Sequence, residues 1–477
     1  MVYRLAKNVE LVERDGGNFL VAQTPLCALR LNASLTALVR RGLGGPLTPE
    51  TAAETAVLEL LTAKGFVERE RNVEEQPATF PTVSVVIPVK DRADELQRCL
   101  ASIDRVDYPQ NLLQIIVVDD GSRDGSASVA RESGALVVPS GGTGRGPAAA
   151  RNVGARAATG DILAFIDSDC TASAGWLAEL LPAFNDPKTV AVGGEVSGMC
   201  SASAVDRYES VMSSLSLGSR ERSGSTGDDT FYLPSCNLLV RRRAFLAVGG
   251  FADDMHVGED VDLTWRLRDN GWTISYLPVG EVFHEHRSTV RSFMSRRFDY
   301  GTSEGMLQLL HPHRHKRMVI PPLLALLLAL CITAPFTGWT TLLLAVGVLA
   351  VDAATVRVRF YRRGIPIGLS ALLGGRLRAL GSLVYYLSYH LVRYYAIPLI
   401  VIALFFPLFW VVPIGVLGCA ARVDHAIKKP PLPFVRFAGV YLLEQLAYGA
   451  GVFWGCLCLR CFTSYRIVIL RQVEATA

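Results

Sequence analysis

Two aspartates, Asp167 and Asp169, follow directly after the apolar run 162–166 and are separated by Ser168. The run is typical of a buried strand, and residues i and i+2 of a strand point to the same side. The two carboxylates can therefore converge on one hard cation. Two carboxylates completed by phosphate oxygens suit Mg²⁺ or Mn²⁺. Because ligands of open α/β sheets bind outside the carboxyl ends of the strands, the pair also lies where a ligand is expected.

A second acidic pair, Glu259 and Asp260, opens a stretch with helical spacing at 261–270. A helix N-terminus favours the ionised form of a carboxyl group, and an ionised carboxylate can accept a proton from a hydroxyl group. Alone, the pair would be an ordinary acidic first turn of a helix. Together with the other motifs of the chain, it predicts that Asp260 is a general base.

Strands and helices alternate around these residues. Apolar runs at 83–89, 115–118 and 135–138 are typical of buried strands, and the first is followed by a polar turn and a helical pattern from about residue 93 to 102. Such alternation predicts an α/β fold with a mainly parallel sheet.

Seven motifs within residues 83–305 resemble, in the same order and spacing, those of family 2 glycosyltransferases. They lie at residues 87–92, 118–122, 146–154, 165–169, 237–242, 249–251 and 258–267. Each motif alone is weak, whereas the ordered set leaves little room for coincidence. The resemblance implies a GT-A nucleotide-sugar-binding mixed sheet. It also implies an inverting transfer of a sugar from a nucleotide-diphosphate sugar, with Mg²⁺ or Mn²⁺ as cofactor.

The resemblance assigns roles to individual residues. Those expected to bind the donor are Pro88, Asp91, Asp119, Asp120, Arg151, Asp167 and Ser168. Those expected to hold the metal are Asp169, Asp167 and His284. Those expected on the acceptor side are Asn237, Glu259, Trp265 and Arg266. The expected catalytic base is Asp260.

Physical arguments accompany three of these assignments. Asp119 and Asp120 end a strand, where carboxylates can accept hydrogen bonds from a uracil N–H and from ribose hydroxyls. Arg151 begins a helix and can either brace those carboxylates or bind a phosphate, and the sequence leaves both roles open. His284 is preferred to His286 as the third metal ligand because it directly follows apolar strand residues.

The chain departs from the processive polysaccharide synthases of the family at one motif. Those enzymes carry a Gln-x-x-Arg-Trp signature on a helix beneath the acceptor channel, whereas the stretch 295–301 here is Ser-Arg-Arg-Phe-Asp-Tyr-Gly. Long processive polymerisation is therefore not expected, and a short oligosaccharide is the longest product anticipated.

Residues 1–76 form a small unit, followed by a charged linker at 77–82 and by the glycosyltransferase domain at 83–310. The order of strand-like and helical segments resembles a winged-helix module, with one helix N-cap expected at Thr48, before Pro49. Its near-balanced charge argues against a nucleic-acid partner. It also resembles the small peptide-binding domains that recognise precursor peptides in ribosomally made natural-product pathways. That resemblance implies a peptide-derived small-molecule acceptor, with a purely structural appendage as the alternative.

The last third of the chain, 311–477, holds long apolar runs and a basic excess of 17 Lys and Arg over 4 Asp and Glu. These features predict a helical membrane region with two to four spans and membrane lipid as a partner. The first two apolar runs, 319–336 and 339–356, are flanked on one side by basic clusters at 314–317 and 357–363. The positive-inside rule predicts that this side is cytosolic. The stretch 369–395 has the mixed pattern of an interfacial helix. The expected location is the cell membrane, with the catalytic domain on its cytoplasmic side.

Three alternatives remain open at the level of sequence. The acceptor of a glycosyltransferase anchored in this way can be a polyprenyl-phosphate, another lipid or a polysaccharide. A nucleotidyltransferase also uses acidic pairs on such a sheet, but the Gly-rich phosphate loop expected after its first strand is missing from 87–91. A non-catalytic membrane receptor that binds peptides through residues 1–76 would not need the acidic motifs.

Overall fold

The computed structural model describes residues 2–14, 17–23, 26–70, 80–142, 144–224, 229–362 and 367–470. Residues 77–79 of the predicted linker lie outside these ranges. The chain divides into two compact units. The first is formed by Met1–Glu75, Met318–Leu387 and Ile469–Ala477, and the second by Gln76–Arg317 and Ser388–Val468.

The N-terminal part of the first unit is a small mixed module. Its elements are β1 (Val2–Leu5), β2 (Val9–Arg14), β3 (Gly17–Gln23), β4 (Leu26–Leu31), α1 (Ala33–Arg41), α2 (Ala52–Ala63) and β5 (Val67–Glu70). Strands β2, β3 and β4 form an antiparallel sheet, and β1 pairs with β5. Leu20, Val39, Leu58 and Phe66 are buried in its core. Strand-like patterns at 19–22 and from residue 65 predicted β3 and β5, and helical spacing at 34–39 and 52–64 predicted α1 and α2. Strands β1, β2 and β4 were not predicted.

Helix α2 begins later than predicted. Its N-cap is Thr51 rather than Thr48, and the Thr51 hydroxyl accepts a hydrogen bond from the Glu54 backbone N–H at 3.1 Å. The Glu54 side chain reaches back to the Glu50 N–H at 2.8 Å. A threonine followed three residues later by a glutamate is a typical helix N-cap pattern. Thr51 and Glu54 have this spacing, whereas the residue three positions after Thr48 is a threonine.

The second unit contains the predicted α/β domain. Its elements up to residue 310 are β6 (Val83–Val89), α3 (Ala93–Ile103), β7 (Leu113–Asp119), α4 (Ser126–Glu132), β8 (Leu136–Pro139), α5 (Pro147–Ala157), β9 (Ile162–Ile166), β10 (Cys170–Ala172), α6 (Trp176–Leu180), β11 (Thr189–Gly193), β12 (Val196–Gly198), α7 (Ala204–Met212), β13 (Arg222–Gly224), β14 (Asn237–Arg241), α8 (Arg242–Ala247), α9 (Glu259–Asp269), β15 (Thr273–Tyr276), β16 (Val282–His284) and α10 (Val290–Leu310).

Eight of these strands form one mixed sheet in the order β13-β15-β11-β14-β9-β6-β7-β8. The neighbours β9, β6, β7 and β8 are parallel, whereas β14 is antiparallel to both β9 and β11. The expected mixed sheet is therefore present, although β13 and β14 make it less parallel than strand–helix alternation alone suggested. Every residue of β6 and β9 is buried because helices cover both faces, which explains their nearly continuous apolar sequences.

A smaller sheet, β10-β16-β12, brings two distant parts of the chain together. Cys170 and His284 are opposite each other in the antiparallel register of β10 and β16. Asp169 directly precedes β10, so this pairing places His284 beside the acidic motif.

The remaining elements are β17 (Lys316–Val319), α11 (Pro322–Thr337), α12 (Trp339–Arg362), α13 (Leu369–Phe405), α14 (Val411–Lys428), α15 (Phe434–Cys458) and β18 (Ile467–Leu470). Within the described residues, three helical segments are long and apolar enough to cross a membrane, namely Trp339–Arg362, Leu369–Phe405 and Pro407–Lys428. The stretch 369–395, expected to be interfacial, is part of the second segment because the helix continues into an apolar run.

Helix α15, whose sequence is mostly apolar, packs closely on α10. A Cβ atom on Gly451 would lie 2.1 Å from the carbonyl oxygen of Phe298, and one on Gly455 would lie 2.3 Å from that of Thr302. Only glycine permits such an approach of two backbones. The C-terminal helix is thus an integral part of the unit that contains the large sheet.

Candidate active site

One cavity of about 700 Å³ is bounded by the carboxyl ends of β6 and β9 and by helices α9 and α10. The predicted site residues on its wall are Pro88, Asp120, Arg151, Asp167, Ser168, Asp169, Glu259, Asp260, Trp265 and His284. The predicted site residues that are not among the lining residues are Asp91, Asp119, Asn237 and Arg266. The fold therefore gathers the predicted metal, base and most donor residues around one space.

Asp169, Cys170 and His284 form a group of side chains that could hold a metal ion. The Asp169 Oδ1 and His284 Nε2 atoms are 3.7 Å apart, and ligand atoms of Asp169, Cys170 and His284 lie within 4.8 Å of one another. Burial raises the pKa of the Cys170 thiol well above its usual value. A carboxylate suits Mn²⁺ or Mg²⁺, and the added imidazole is acceptable to Mn²⁺.

Two arginines hold the acidic motif. Arg92 donates a hydrogen bond to Asp169, and the buried Arg151 bridges Asp167 and Glu259 at 2.5 and 2.8 Å. Although burial opposes ionisation, His284 and Arg92 lower the pKa of Asp169. Arg151 therefore forms an internal ion pair with Asp167 and Glu259. The carboxylates that it was expected to brace were Asp119 and Asp120.

Asp120 is a buried carboxylate whose oxygens are oriented by the following loop. Its Oδ1 accepts hydrogen bonds from the Ser140 hydroxyl at 2.7 Å and the Arg145 backbone N–H at 2.9 Å, and its Oδ2 accepts one from the Gly146 N–H at 3.0 Å. Each carboxylate oxygen has two acceptor sites. The Oδ2 atom therefore retains capacity for a ligand hydroxyl or N–H at the cavity wall.

The two neighbouring predicted donor residues shape turns. Asp119 accepts a hydrogen bond from the Ser122 N–H at 2.9 Å, and Asp91 accepts one from the Arg123 N–H at 2.6 Å. Asp91 has a φ of 51°, a conformation that aspartate tolerates better than most residues. Both carboxylates are thus engaged beside the cavity.

Asp260 lies at the N-terminus of α9, after Gly258 in the left-handed conformation with φ 83°. Its carboxylate accepts hydrogen bonds from the backbone N–H groups of Ser235 at 3.2 Å and Val261 at 2.8 Å. Burial, followed by the neighbouring charge of Glu259, raises the pKa of Asp260 to about 7. A carboxyl group with that pKa is suited to accept a proton near neutral pH.

Of the residues predicted on the acceptor side, Asn237 is the most deeply engaged within the protein. Its side-chain N–H groups donate to the carbonyl oxygens of Glu195 and Gly280, both at 2.9 Å, and its Oδ1 accepts from the Trp176 indole N–H at 2.8 Å. These bonds join β14, α6 and the loop before β16.

Arg266 and Trp265 lie next to each other on α9 but differ in their surroundings. Arg266 pairs with Asp262 at 2.6 Å and donates to two backbone carbonyl groups. Trp265 donates its indole N–H to the Phe231 carbonyl at 3.1 Å while lining the cavity. Of these two residues, only Trp265 is part of the cavity wall.

The sequence analysis missed several residues of the cavity wall. Arg92 falls in the first motif, and its position after a strand end beside acidic residues was a usable signal. Arg296, whose guanidinium lies 4.7 Å from the Tyr300 ring centroid, comes from the stretch that replaces the synthase signature. Glu209 belongs to no motif that was assigned a function, and His286 was considered only as the less favoured third metal ligand.

Comparison with known proteins identifies the domain. Residues 84–249 match the family model Glycosyl transferase family 2. The chain contains a family 2 glycosyltransferase domain. The match confirms the predicted family and fold class, and it covers the sheet from β6 through β14, with the Asp-Ser-Asp motif. Asp260 and His284 lie beyond its end.

Relatives of the family 2 domain come from bacteria, archaea and animals. Over 244 residues the chain is 39% identical to the pre-mycofactocin glycosyltransferase of Mycobacterium tuberculosis H37Rv, with 50% of each chain covered. It is 30% identical over 208 residues to glycosyltransferase AglE of Haloferax volcanii, with 42% of this chain and 65% of that protein covered. The chain spans about half the length of the mycobacterial relative.

Among solved structures, the chain is similar to the mannosyltransferase PcManGT from Pyrobaculum calidifontis in complex with GDP-Man and Mn²⁺. The identity is 22%, the TM-score is 0.40, and the alignment covers 75% of this chain and 90% of that one.

Proposed function

We propose that the protein is an inverting, metal-dependent glycosyltransferase at the cytoplasmic face of the cell membrane. It transfers glucose from UDP-glucose to a peptide-derived redox cofactor of the mycofactocin type, as a single residue or a short oligosaccharide. The mycobacterial relative is named for that pathway. Three candidate membrane helices support the location.

One observation carries the proposal more than any other. A carboxylate–imidazole pair, Asp169 and His284, and a half-buried carboxyl group with a pKa of about 7, Asp260, line the same cavity. Displacement at a sugar carbon needs a leaving group whose charge is neutralised and a group that accepts a proton. Asp169 and His284 would hold the cation for the first function, and Asp260 provides the second.

The residues act on the reaction as follows. Asp120 binds the nucleoside end of the donor, and Asp169, His284 and Asp167 are the residues that would hold a divalent cation. A bound Mg²⁺ or Mn²⁺ neutralises the charge that develops on the diphosphate. The acceptor hydroxyl loses its proton to Asp260 while its oxygen bonds to C1 of the sugar. The bond between C1 and the phosphate oxygen breaks, and the nucleoside diphosphate leaves with its electron pair.

The N-terminal module is proposed to contribute to acceptor choice. Its resemblance to peptide-binding domains and its three-stranded antiparallel sheet, β2-β3-β4, suit a peptide that adds a strand to a sheet edge. A tethered module of this kind raises the local concentration of its bound partner near the enzyme. It has no part in donor chemistry, since every proposed donor and metal residue lies between Pro88 and His284.

A second candidate function is transfer to a polyprenyl-phosphate or other lipid acceptor. The observation in its favour is the set of three apolar helical segments within 339–428, which would keep the enzyme beside a lipid substrate. The donor chemistry is the same in both candidates. They differ in the product.

The product of labelled UDP-glucose distinguishes the two. With membranes that contain the full chain and the peptide-derived acceptor, the label is expected in a water-soluble product whose mass increases by whole hexose units. Deleting residues 2–76 should reduce this transfer and leave slow hydrolysis of UDP-glucose intact. Label in a lipid extract would favour the second candidate. Equal loss of hydrolysis and transfer on deletion would contradict the separate role of the module.

A further inference from the structure

Arg92 occupies part of the acidic motif that the proposed reaction needs for a cation. Its guanidinium group donates a hydrogen bond to Oδ2 of Asp169, while Oδ1 of the same carboxylate faces Nε2 of His284 at 3.7 Å. Asp167 is paired in a similar way, because Arg151 donates to its Oδ1 at 2.5 Å. Each carboxylate of the motif is therefore paired with a guanidinium group, and these positive charges oppose the approach of a divalent cation.

The two arginines differ in how firmly they are held. Arg151 has only 3% of its side chain exposed, and it bridges Asp167 and Glu259. Arg92 has 26% of its side chain exposed, and among the described residues it has one carboxylate within ion-pair distance, that of Asp169. Moving Arg151 would leave two carboxylates without their partner in a buried place, which is costly. Arg92 is therefore the arginine that can exchange its partner.

The backbone around Arg92 is fixed, although its side chain is long. The Arg92 N–H donates to the Ser126 hydroxyl at 3.1 Å, and the Ala93 N–H donates to Oδ2 of Asp124 at 3.0 Å. Arg92 is also the last residue before α3. A change of partner is thus confined to the side chain, which can redirect its guanidinium group by a change of rotamer.

The order of the strands places Arg92 between the two ends of the proposed donor site. Strand β6 lies between β7 and β9 in the large sheet. Arg92 follows the end of β6, Asp120 follows β7, and Asp169 follows β9, and all three residues line the cavity. A nucleotide whose nucleoside end is at Asp120 and whose phosphates extend towards Asp169 would have those phosphates beside Arg92. A guanidinium group suits phosphate oxygens because it can form two parallel hydrogen bonds with them.

We propose that Arg92 couples the binding of the cation to the binding of the donor. In the absence of donor, Arg92 pairs with Asp169 and weakens the site for a divalent cation. When a nucleoside diphosphate enters the cavity, the guanidinium group transfers to the phosphate oxygens and releases Asp169. The inference rests on the proposed metal role of Asp169 and on the proposed donor site. It explains why the site would bind donor and cation together rather than the cation alone.

The test measures two affinities of the purified full-length protein. The affinity for Mn²⁺ without nucleotide is obtained from the electron paramagnetic resonance signal of free Mn²⁺, and the affinity for UDP at saturating Mn²⁺ is obtained by calorimetry. Arg92→Met removes the charge and the hydrogen-bond donors while keeping a long side chain. We expect this variant to bind Mn²⁺ about ten-fold more tightly and UDP about ten-fold more weakly, the lower end of what a hydrogen bond to a charged group contributes.

Two further variants serve as controls. Arg92→Lys keeps the charge but not the paired donors, so its affinity for Mn²⁺ should stay near that of the wild type and its affinity for UDP should be intermediate. Arg98→Met is the matched control on the same helix, because Arg98 also pairs with a carboxylate, that of Glu285, but is not among the residues that line the cavity. It should leave both affinities unchanged. Thermal unfolding of each variant checks that the fold is kept.

The outcomes separate this inference from the proposed function. Weaker binding of Mn²⁺ by Arg92→Met would overturn the inference, because Arg92 would then orient Asp169 for the cation instead of competing with it. Wild-type affinity for Mn²⁺ in Arg92→Met, or equal shifts in Arg98→Met, would also overturn it, and all of these results would leave the metal site standing. A wild-type protein that binds no Mn²⁺, with or without UDP, would refute the metal role and this inference together.

Discussion

Replacement of Asp260 by Asn is expected to lower the rate of sugar transfer by about 10²- to 10⁴-fold, the usual contribution of a positioned general base. The amide oxygen can still accept the hydrogen bond from the Val261 N–H, whereas the amide NH₂ cannot accept the longer one from the Ser235 N–H. Because the shorter bond is kept, the start of α9 should keep its structure, which circular dichroism checks. Donor affinity, measured by calorimetry with UDP-glucose and Mn²⁺, should be unchanged. A loss of donor affinity with normal turnover would instead assign Asp260 to donor binding.

The pH profile gives an independent check of the same residue. Burial and the Glu259 charge raise the pKa of Asp260 to about 7, so the ionised form that can accept a proton predominates only above that pH. The wild-type rate should rise as the pH passes through about 7 and then level off. The Asn variant should lack this rise. Asp254→Asn, in the exposed turn before α9, is the matched control and should keep the wild-type profile.

Replacement of Asp169 by Asn is expected to lower transfer on the order of 10³-fold, because stabilisation of transition-state charge by a metal is worth several kcal/mol. The variant should also lose the response of the rate to Mn²⁺ concentration. The fold should persist, since Asp169 lies at the cavity wall and the core strand β9 ends before it. Circular dichroism and the rate across a Mn²⁺ titration measure the two effects.

The control for this variant lies at the other end of the same strand. Asp161 directly precedes β9, is exposed and accepts a hydrogen bond from the Thr82 hydroxyl at 2.8 Å. Asp161→Asn removes the same charge and should leave both rate and metal response unchanged. A near-normal rate with unchanged metal dependence in Asp169→Asn would remove Asp169 from the metal site.

Local sequence patterns predicted the parts of the site that depend on strand ends and helix starts. Asp167 and Asp169 follow a strand whose apolar sequence reflects burial on both faces. Asp260 is the second residue of a helix that begins after Gly258. His284 was identified because it directly follows the apolar residues of a strand. The register with Cys170, which places it beside Asp169, was not readable from the sequence.

Contacts between side chains that are far apart in the chain could not be predicted from the sequence. Nothing local indicates that Arg151 bridges Asp167 and Glu259, or that the polar groups of Asn237 are used between strands and helices. The glycosyltransferase domain was expected to end at residue 310 because the long apolar runs begin after it. The compact unit around the site nevertheless includes Ser388–Val468, because close backbone contacts hold an apolar helix on α10.

The stereochemistry of the product tests the central claim most directly. The proposed reaction is a single displacement at the sugar carbon. Asp260 accepts the proton of the acceptor hydroxyl, and no covalent intermediate forms on the protein. Proton nuclear magnetic resonance of the glucosylated product, made by the purified full-length protein with UDP-glucose and Mn²⁺, reports the anomeric configuration. We predict a β-linked glucose, inverted from the α-linked donor. An α-linked product would contradict the proposed mechanism and the role of Asp260 in it.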